Sequence, residues 1–437
     1  MTDSSKASPE AVAAYVNQAS TDAWDVPGLA ADIQIRPISK VGIIGAGTMG
    51  GGIAMNFATA GYEVVIVETQ QEALDRGLGV VRANYQRSAD KGRFPPEEVD
   101  IRMNRFKGTL DKGDLADCDL VIEAVFENMD LKKTIFTELD AIMKPGAILA
   151  TNTSALNIDE IASVTKRPED VIGLHFFSPA NVMKLLEIVR ADHTQDDVVA
   201  TSMDLAKKIS KIAVLVGVTP GFVGNRILRM RQAQANKLLE KGAMPWDVDA
   251  AINAFGFRMG PYQMSDLAGL DIGWQKGAKT HLPIRDALCE MDRRGQKTKA
   301  GWYDYDENRK AIPSPVTEKV IKDMLGAEPQ EMSEQDIIET CIYPMINEGV
   351  KILEENKAIR PSDIDIVWLN GYGWPRDKGG PMYWGDVVGA KAVLAKMEEL
   401  GAEDPMFAPA ETLKKLAAEG GSFLALDLGG LKTASSK

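Results

Sequence analysis

The sequence predicts an α/β domain built on a doubly wound, largely parallel sheet, followed by two homologous all-α domains. Between Lys40 and Gly217, short apolar stretches alternate with helical ones, which is typical of a parallel sheet. After this region the pattern becomes helical, and a set of Pro, Asp and Gly residues recurs further along. The predicted strands are Lys40–Gly45, Glu63–Glu68, Asp119–Ala124, Ala147–Thr151, Val171–Phe177, Leu185–Val189 and Ile212–Val216.

The first predicted strand runs into a glycine motif, Gly45-x-Gly47-x-x-Gly50, and the second ends on the acid Glu68. The first glycine allows a tight turn, the second lets the backbone approach a pyrophosphate, and the third lets helix and strand pack closely. An acid at the end of the second strand accepts both ribose hydroxyls and repels a 2′-phosphate. The motif therefore predicts a Rossmann-type domain that binds NAD in preference to NADP.

Composition limits the classes of partner and location. The formal net charge of −13 argues against nucleic acid or a membrane surface as the main partner, so an anionic substrate needs a local basic patch. The sequence has neither a secretory signal nor an apolar run of the roughly 20 residues that a spanning helix needs. Three cysteines without metal-like spacing predict buried reduced thiols, a cytoplasmic location and no metal site: Cys118, Cys289 and Cys341.

A long basic insertion follows the second predicted strand. Its cations are Arg82, Arg87, Lys91, Arg93, Arg102, Arg105 and Lys107, against the acids Asp90, Glu97, Glu98 and Asp100. Two interpretations remain open for this segment. It is either a solvated helical hairpin or an arm that contacts the phosphates of a charged ligand.

The helical part of the chain contains an internal repeat. The stretch Pro245–Asp249 recurs as Pro361–Asp365, and Gly260–Pro261 recurs as Gly380–Pro381. Ordered agreement at such positions predicts two copies of one helical unit. The predicted segments are an N-terminal extension and linker at 1–37, an NAD-binding domain at 38–217, a first helical domain at 218–310, a linker at 311–330 and a second helical domain at 331–428.

Four residues could carry chemistry at the C-terminal edge of the sheet, where open α/β sheets bind ligands. Ser154 follows a predicted strand, His175 ends another, and Asn225 opens the first helix of the next domain. Taken singly, these could be a turn residue, a packed histidine and a helix cap. Glu187 is more informative, because a carboxylate within an apolar strand needs a partner. An imidazole supplies one, and the carboxylate would fix its tautomer and raise its basicity.

Several strings together resemble the L-3-hydroxyacyl-CoA dehydrogenases, from about Lys40 to Tyr305: GAGTMGGGIA, VIEAVFEN, TNTSAL, GLHFFSPANVMKLLEIV, TPGFVGNRI and FGFRMGPYQMSDLAGLD. The second helical copy, with INEGVKILEE and NGYGWPRDKGGPMYWGD, resembles the last domain of multifunctional fatty-acid β-oxidation proteins. Those proteins carry an enoyl-CoA hydratase domain upstream. Here residues 1–37 precede the glycine motif, so we do not expect hydratase activity.

The resemblance implies NAD-dependent oxidation of L-3-hydroxyacyl-CoA to 3-ketoacyl-CoA, or the reverse, in fatty-acid metabolism. His175 would be the base, paired with Glu187, while Ser154 and Asn225 would hold the substrate's oxygens. The implied NAD contacts are Gly45, Gly47, Met49, Gly50, Glu68, Glu127 and Lys132. Acyl-CoA is then the expected partner, and the candidates for contacting its phosphates are Lys91 and Arg93.

Two alternative functions remain open, and the second helical copy suggests a structural hypothesis. The scaffold could serve a dehydrogenase of another hydroxy acid, or a non-catalytic structural protein that keeps an NAD site. In the second copy, the position matching Asn225 is Thr340 or Cys341. We therefore predict that this copy is structural and replaces the dimer partner of single-copy relatives. The chain would then be a monomer with an internal pseudo-dimer, or a homodimer.

Overall fold

The computed structural model describes residues 8–326, 328–429 and 431. Within these ranges the chain forms a main sheet of eight strands, a separate two-stranded sheet and seventeen α-helices. The chain folds into two compact units. The sheet unit comprises Ala13–Arg226, Lys351–Tyr372 and the described part of Leu424–Lys437, and the helical unit comprises Ile227–Val350, Gly373–Phe423 and the described part of Met1–Val12.

The strands of the main sheet are β1 (Lys40–Ile44), β2 (Glu63–Val67), β3 (Phe106–Thr109), β4 (Leu120–Glu123), β5 (Ile148–Thr151), β6 (Val171–Phe176), β7 (Leu185–Arg190) and β8 (Ile212–Gly217). They lie in the order β3-β2-β1-β4-β5-β6-β7-β8. All neighbours are parallel except β6 and β7, which are antiparallel. The seven strands predicted from the sequence are confirmed. The edge strand β3 was missed because it is short and exposes Lys107 and Gly108, so it carries no apolar run.

The helices are α1 (Pro9–Asp22), α2 (Thr48–Thr59), α3 (Gln71–Asp90), α4 (Glu97–Met103), α5 (Met129–Ile142), α6 (Ile158–Ala162), α7 (Asp196–Lys208), α8 (Gly224–Glu240), α9 (Pro245–Phe255), α10 (Pro261–Ala268), α11 (Pro283–Glu290), α12 (Pro315–Leu325), α13 (Glu334–Glu354), α14 (Pro361–Gly371), α15 (Pro381–Val388), α16 (Ala390–Glu403) and α17 (Glu411–Glu419). The small sheet pairs β9 (Tyr303–Tyr305) with β10 (Ala311–Pro313).

The basic insertion forms α3 and α4, which pack against each other as a helical hairpin, and contact of this hairpin with the phosphates of a ligand stays a prediction. Val81 and Tyr85 of α3 and Val99 of α4 share a small apolar cluster. The guanidinium of Arg102 lies 3.9 Å from the ring centroid of Phe94, which closes the end of the hairpin. The polar face of the hairpin is left exposed, as the excess of cations in its sequence requires.

The repeat corresponds to matching helices: α9 and α14 both have 11 residues, and α10 and α15 both have eight. The recurring prolines are the first residues of these four helices, where a missing N–H costs nothing. Asp266 of α10 and Asp386 of α15 lie at matching positions, each five residues after the first proline of its helix, and have the same structural role. Asp266 accepts hydrogen bonds from the Trp302 and Tyr303 N–H groups, and Asp386 accepts one from Phe423 N–H. Burial raises the pKa of Asp266 to about 6.

Within the helical unit, the two copies meet at matching positions. Phe257 follows α9, Trp374 stands at the corresponding place after α14, and their ring centroids lie 5.5 Å apart at 82°. Phe255 packs edge-on against the same tryptophan at 5.5 Å. Contact between equivalent residues is the arrangement of a two-fold interface between subunits.

The described part of the N-terminal extension contains one helix, α1, while residues 1–7 lie outside the described residues. The Tyr15 hydroxyl on this helix donates to Asp365 Oδ2 of α14 at 2.5 Å. The three cysteines are buried and free, and burial raises the pKa of the Cys118 and Cys341 thiols to about 12. Among the described residues, no helix is long and apolar enough to cross a membrane.

Candidate active site

The antiparallel pairing of β6 with β7 sets His175 directly opposite Glu187. The two side chains meet: His175 Nδ1 lies 2.7 Å from Glu187 Oε2. Glu187 is fully buried and His175 is 5% exposed, and the imidazole lies between the rings of Phe177 and Phe222. Because a carboxylate only accepts hydrogen bonds, this contact puts the imidazole proton on Nδ1. The lone pair is then left on Nε2.

The other oxygen of Glu187 faces the start of α8. Its Oε1 accepts the Gly224 N–H at 2.9 Å, and Asn225 is the next residue. The Asn225 amide Nδ2 lies 3.4 Å from the carbonyl oxygen of Ser154, so the structure brings the four predicted catalytic and substrate residues together. One buried carboxylate therefore links the imidazole to the helix that carries Asn225.

Ser154 lies in the loop after β5, and Glu127 holds that loop. Glu127 Oε1 accepts hydrogen bonds from Thr153 Oγ1 at 2.6 Å and from the N–H and Oγ of Ser154 at 2.8 and 3.2 Å. Burial by itself raises the pKa of Glu127, but these hydrogen bonds and the Lys132 ammonium bring it below its ordinary value. Glu127 thus stays ionised and orients the Ser154 hydroxyl.

Lys132 is 1% exposed, and its ammonium lies between two carboxylates. Its Nζ is 2.7 Å from Glu123 Oε1 and 3.5 Å from Glu127 Oε2. Glu123 is fully buried at the end of β4 and also accepts the Thr151 hydroxyl at 2.7 Å. Sequence reasoning did not single out Glu123. The available signal was the same as for Glu187, a carboxylate inside an apolar strand.

The glycine turn after β1 has the properties that each glycine was expected to supply. Gly45 has φ +101°, which favours glycine, and a Cβ at Gly50 would collide with the Gly45 carbonyl oxygen. A Cβ at Gly47 would meet no atom of the described residues within 4 Å, so the space that they leave beside it is open. Gly47 is the N-cap of α2 and makes no side-chain cap, which leaves N–H groups for an anion. The turn therefore fits a pyrophosphate.

A cavity of about 780 Å³ extends from this turn to the basic hairpin. Gly47 and Glu68 line one end, and Glu68 Oε2 accepts the Ala46 N–H at 3.0 Å. Lys91 and Arg93 line the other end. Arg76 and Arg87 also line the cavity, but they were not among the residues predicted to contact phosphates. Arg87 precedes Lys91 by one helical turn, and that spacing was the missed signal. Met49 is partly buried against the core of the sheet, and its contact with NAD stays a prediction.

The doubly wound sheet, with a glycine turn at the point where strand order reverses, defines a Rossmann-type dinucleotide-binding protein. Residues 40–219 match the family model described as the NAD-binding domain of 3-hydroxyacyl-CoA dehydrogenase. Residues 221–305 and again 337–423 match the C-terminal domain of the same family, in agreement with the predicted repeat. The chain belongs to the 3-hydroxyacyl-CoA dehydrogenase family, and its sheet domain is the NAD-binding domain of that family.

Similar proteins and structures include multifunctional enzymes. The peroxisomal bifunctional enzyme of Cavia porcellus is 44% identical over 93% of this chain and 60% of its own length, and the Homo sapiens enzyme is 42% identical with the same coverage. The dehydrogenase part of multifunctional enzyme 1 from C. elegans is 32% identical, covers 92% of this chain and 96% of its own, and has a TM-score of 0.66. The 3-hydroxybutyryl-CoA dehydrogenase from Escherichia coli is 26% identical, covers 88% of this chain and 99% of its own, and has a TM-score of 0.76.

The chain spans about 60% of the length of the curated relatives compared above. Others are named glyoxysomal or peroxisomal fatty acid β-oxidation multifunctional proteins, for example in Brassica napus and Arabidopsis thaliana. These names describe the relatives. They do not confirm the cytoplasmic location predicted from the sequence, which stays a prediction.

Substitutions at two glycines distinguish an effect on ligand binding from an effect on folding stability. Gly47→Ala should leave thermal stability unchanged, because its φ of −70° suits alanine and the Cβ enters open space, yet it should weaken NADH binding at least tenfold by filling the pyrophosphate position. Gly50→Ala should instead lower the melting temperature, at a cost of about 1–3 kcal/mol.

Both variants are measured by fluorescence titration with NADH and by thermal unfolding. Gly79→Ala is the matched control, since a Cβ there also meets no atom within 4 Å but lies away from the turn on α3. Unchanged NADH affinity in Gly47→Ala would contradict the assigned position of the pyrophosphate.

Proposed function

We propose that this chain is an NAD-dependent L-3-hydroxyacyl-CoA dehydrogenase that interconverts L-3-hydroxyacyl-CoA and 3-ketoacyl-CoA in fatty-acid β-oxidation or its reverse. The observation that carries the proposal is the 2.7 Å contact between His175 and Glu187. A binding-only protein has no use for a buried imidazole–carboxylate pair at the ligand edge of its sheet. Family membership and the printed functions of the relatives support the same reaction.

In the oxidative direction, His175 Nε2 takes the proton of the C3 hydroxyl. NAD, when bound, supplies the acceptor for the hydride that leaves C3. The Glu187 carboxylate holds the Nδ1 proton, fixes the tautomer and stabilises the imidazolium that forms. With that acceptor in place, removal of the hydroxyl proton by His175 would complete the conversion of the C3 alcohol to a ketone.

Ser154 and Asn225 hold the substrate's oxygens in this proposal. Both side chains are half-buried, and each carries a donor group, a hydroxyl in Ser154 and an amide in Asn225. Donors fixed before the reaction stabilise negative charge that develops on the C3 and thioester oxygens. The Ser154 N–H bond to Glu127 keeps the loop in place, while the Ser154 hydroxyl, which here donates its one proton to Glu127, would exchange that acceptor for a substrate oxygen on binding.

His175→Gln tests the assignment of the base. The variant should lower kcat by about 10²–10⁴-fold, since glutamine cannot take the proton, while the NADH dissociation constant stays unchanged. Turnover is followed by NADH absorbance with acetoacetyl-CoA. His193→Gln, at an exposed position of the same unit, is the control and should be as active as the wild type. Near-normal turnover by His175→Gln would refute the proposal.

The basic end of the cavity is the proposed site for the CoA phosphates. Lys91 and Arg93 are exposed, line the cavity and stand on the hairpin that carries the local excess of cations. In a protein of net charge −13, such a patch lowers the repulsion of an anionic substrate and speeds its encounter. A hydroxy acid without CoA would not need it.

Charge reversal distinguishes acyl-CoA from a smaller hydroxy acid. The Lys91→Glu, Arg93→Glu double variant should raise KM for acetoacetyl-CoA roughly tenfold at low salt and less at high salt, with KM for NADH little changed. The control Lys166→Glu reverses an exposed charge elsewhere in the sheet unit. If both proteins showed the wild-type KM for the CoA substrate, the alternative of another hydroxy acid would gain support.

The second helical copy is proposed to act as the built-in counterpart of a dimer partner. The contact between Phe257 and Trp374, at equivalent positions of the two copies, supports this role. The position that matches Asn225 is Thr340 or Cys341; both are buried inside the copy, and neither has an amide side chain to offer a ligand. The second copy thus has no substrate site of the same kind.

A further inference from the structure

Part of the second helical copy belongs to the sheet unit. Its segment Lys351–Tyr372, which includes α14, groups with the main sheet and not with the helical unit. The Lys357 carbonyl accepts the Gly217 N–H at 2.9 Å, and α14 packs against β7 and β8. The packing is close, because a Cβ at Gly371 would collide with the Leu185 side chain. The C-terminal end of α14 therefore lies beside the strand that carries Glu187.

Tyr372, the residue after α14, reaches the proposed site. Its hydroxyl donates to Asn225 Oδ1 at 2.8 Å. The ring stacks on Trp368 at 4.6 Å and packs edge-on against Phe177 at 5.4 Å. A Cβ at Gly224 would collide with this ring, so glycine is required where α8 begins. Packing on three sides fixes the hydroxyl.

The hydrogen bonds of Asn225 determine which way its amide points. The carbonyl oxygen of Ser154 can only accept, so the amide nitrogen of Asn225 must be the atom that faces it, at 3.4 Å. The amide oxygen is then turned to Tyr372, whose hydroxyl donates to it. The Ser154 carbonyl sets this orientation, and the Tyr372 hydroxyl, which is able to donate or accept, reinforces it by donating to the amide oxygen. Without the hydroxyl, the amide could rotate and present its oxygen where a donor is needed.

A second contact ties the same helix start to this segment. Arg226, which follows Asn225, forms two hydrogen bonds with the carboxylate of Glu355, at 2.5 and 2.8 Å. The Arg226 guanidinium also donates to the Thr219 hydroxyl. The backbone that carries Asn225 is therefore anchored on one side by Glu187 and on the other by the segment of the second copy.

We propose that Tyr372 is a positioning residue of the active site, supplied by the second helical copy, and that it keeps the Asn225 amide N–H directed to a substrate oxygen. This inference rests on the proposed function, since the oxygen belongs to the acyl-CoA substrate. The second copy is then more than a replacement for a dimer partner. It orients a substrate contact that the first copy carries.

Tyr372→Phe tests the inference, because it removes the hydroxyl and keeps the packed ring. The loss of one hydrogen bond that orients the donor should lower kcat/KM for acetoacetyl-CoA roughly 3- to 10-fold. The NADH dissociation constant and the melting temperature should not change. Tyr343→Phe, which alters another buried tyrosine of the second copy, is the matched control and should keep wild-type activity.

A double variant distinguishes an effect of Tyr372 on the Asn225 amide from a general loss of structure in the active site. In an Asn225→Ala background, Tyr372→Phe should have no further effect, because its action depends on the amide. Wild-type kcat/KM in Tyr372→Phe, or an equal loss in the presence and absence of the Asn225 amide, would overturn the inference and leave the proposed function standing. Failure of the wild-type chain to turn over acetoacetyl-CoA would overturn both.

Discussion

The buried carboxylate of Glu187 is the constraint on which the proposed site depends. It lies fully inside the sheet and makes two contacts, one with the imidazole of His175 and one with the Gly224 N–H at the start of α8. A charge in that position would be costly without such partners. The antiparallel pairing of β6 with β7 sets the imidazole opposite this carboxylate. The register of these two strands therefore determines the geometry of the candidate catalytic pair.

Much of the fold could be predicted because its signals are local. The strands are buried along most of their length, so they read as apolar runs, and the recurring prolines mark helix starts in both copies. The edge strand β3 escaped, since half-exposed Phe106–Thr109 has no such pattern. Sequence periodicity also could not reveal that Lys351–Tyr372 groups with the sheet, because that follows from packing between residues distant along the chain.

The candidate site likewise contains residues that could be predicted from the sequence and residues that could not. The glycine turn was predicted from its spacing and Glu187 from its place in an apolar strand, whereas His175, which alone could be a packed residue, was predicted as the partner of Glu187 and from the family resemblance. Tyr372 was missed because it acts on Asn225 from 147 positions away, and nothing in the sequence joins the two. The ammonium of Lys132 lies between Glu123 and Glu127, a pairing that was not predicted, and the contact of Lys132 with NAD stays a prediction. Contacts of these kinds need coordinates.

The proposed role of the Glu187 carboxylate is tested most directly by the turnover of Glu187→Gln with acetoacetyl-CoA and NADH. Glutamine keeps the shape and can still accept the Gly224 N–H, but it presents an N–H to Nδ1 and so favours the imidazole tautomer that carries its proton on Nε2. We expect kcat to fall by about 10²–10⁴-fold while NADH binds as tightly as before. A variant with wild-type kcat would contradict the central role of this carboxylate.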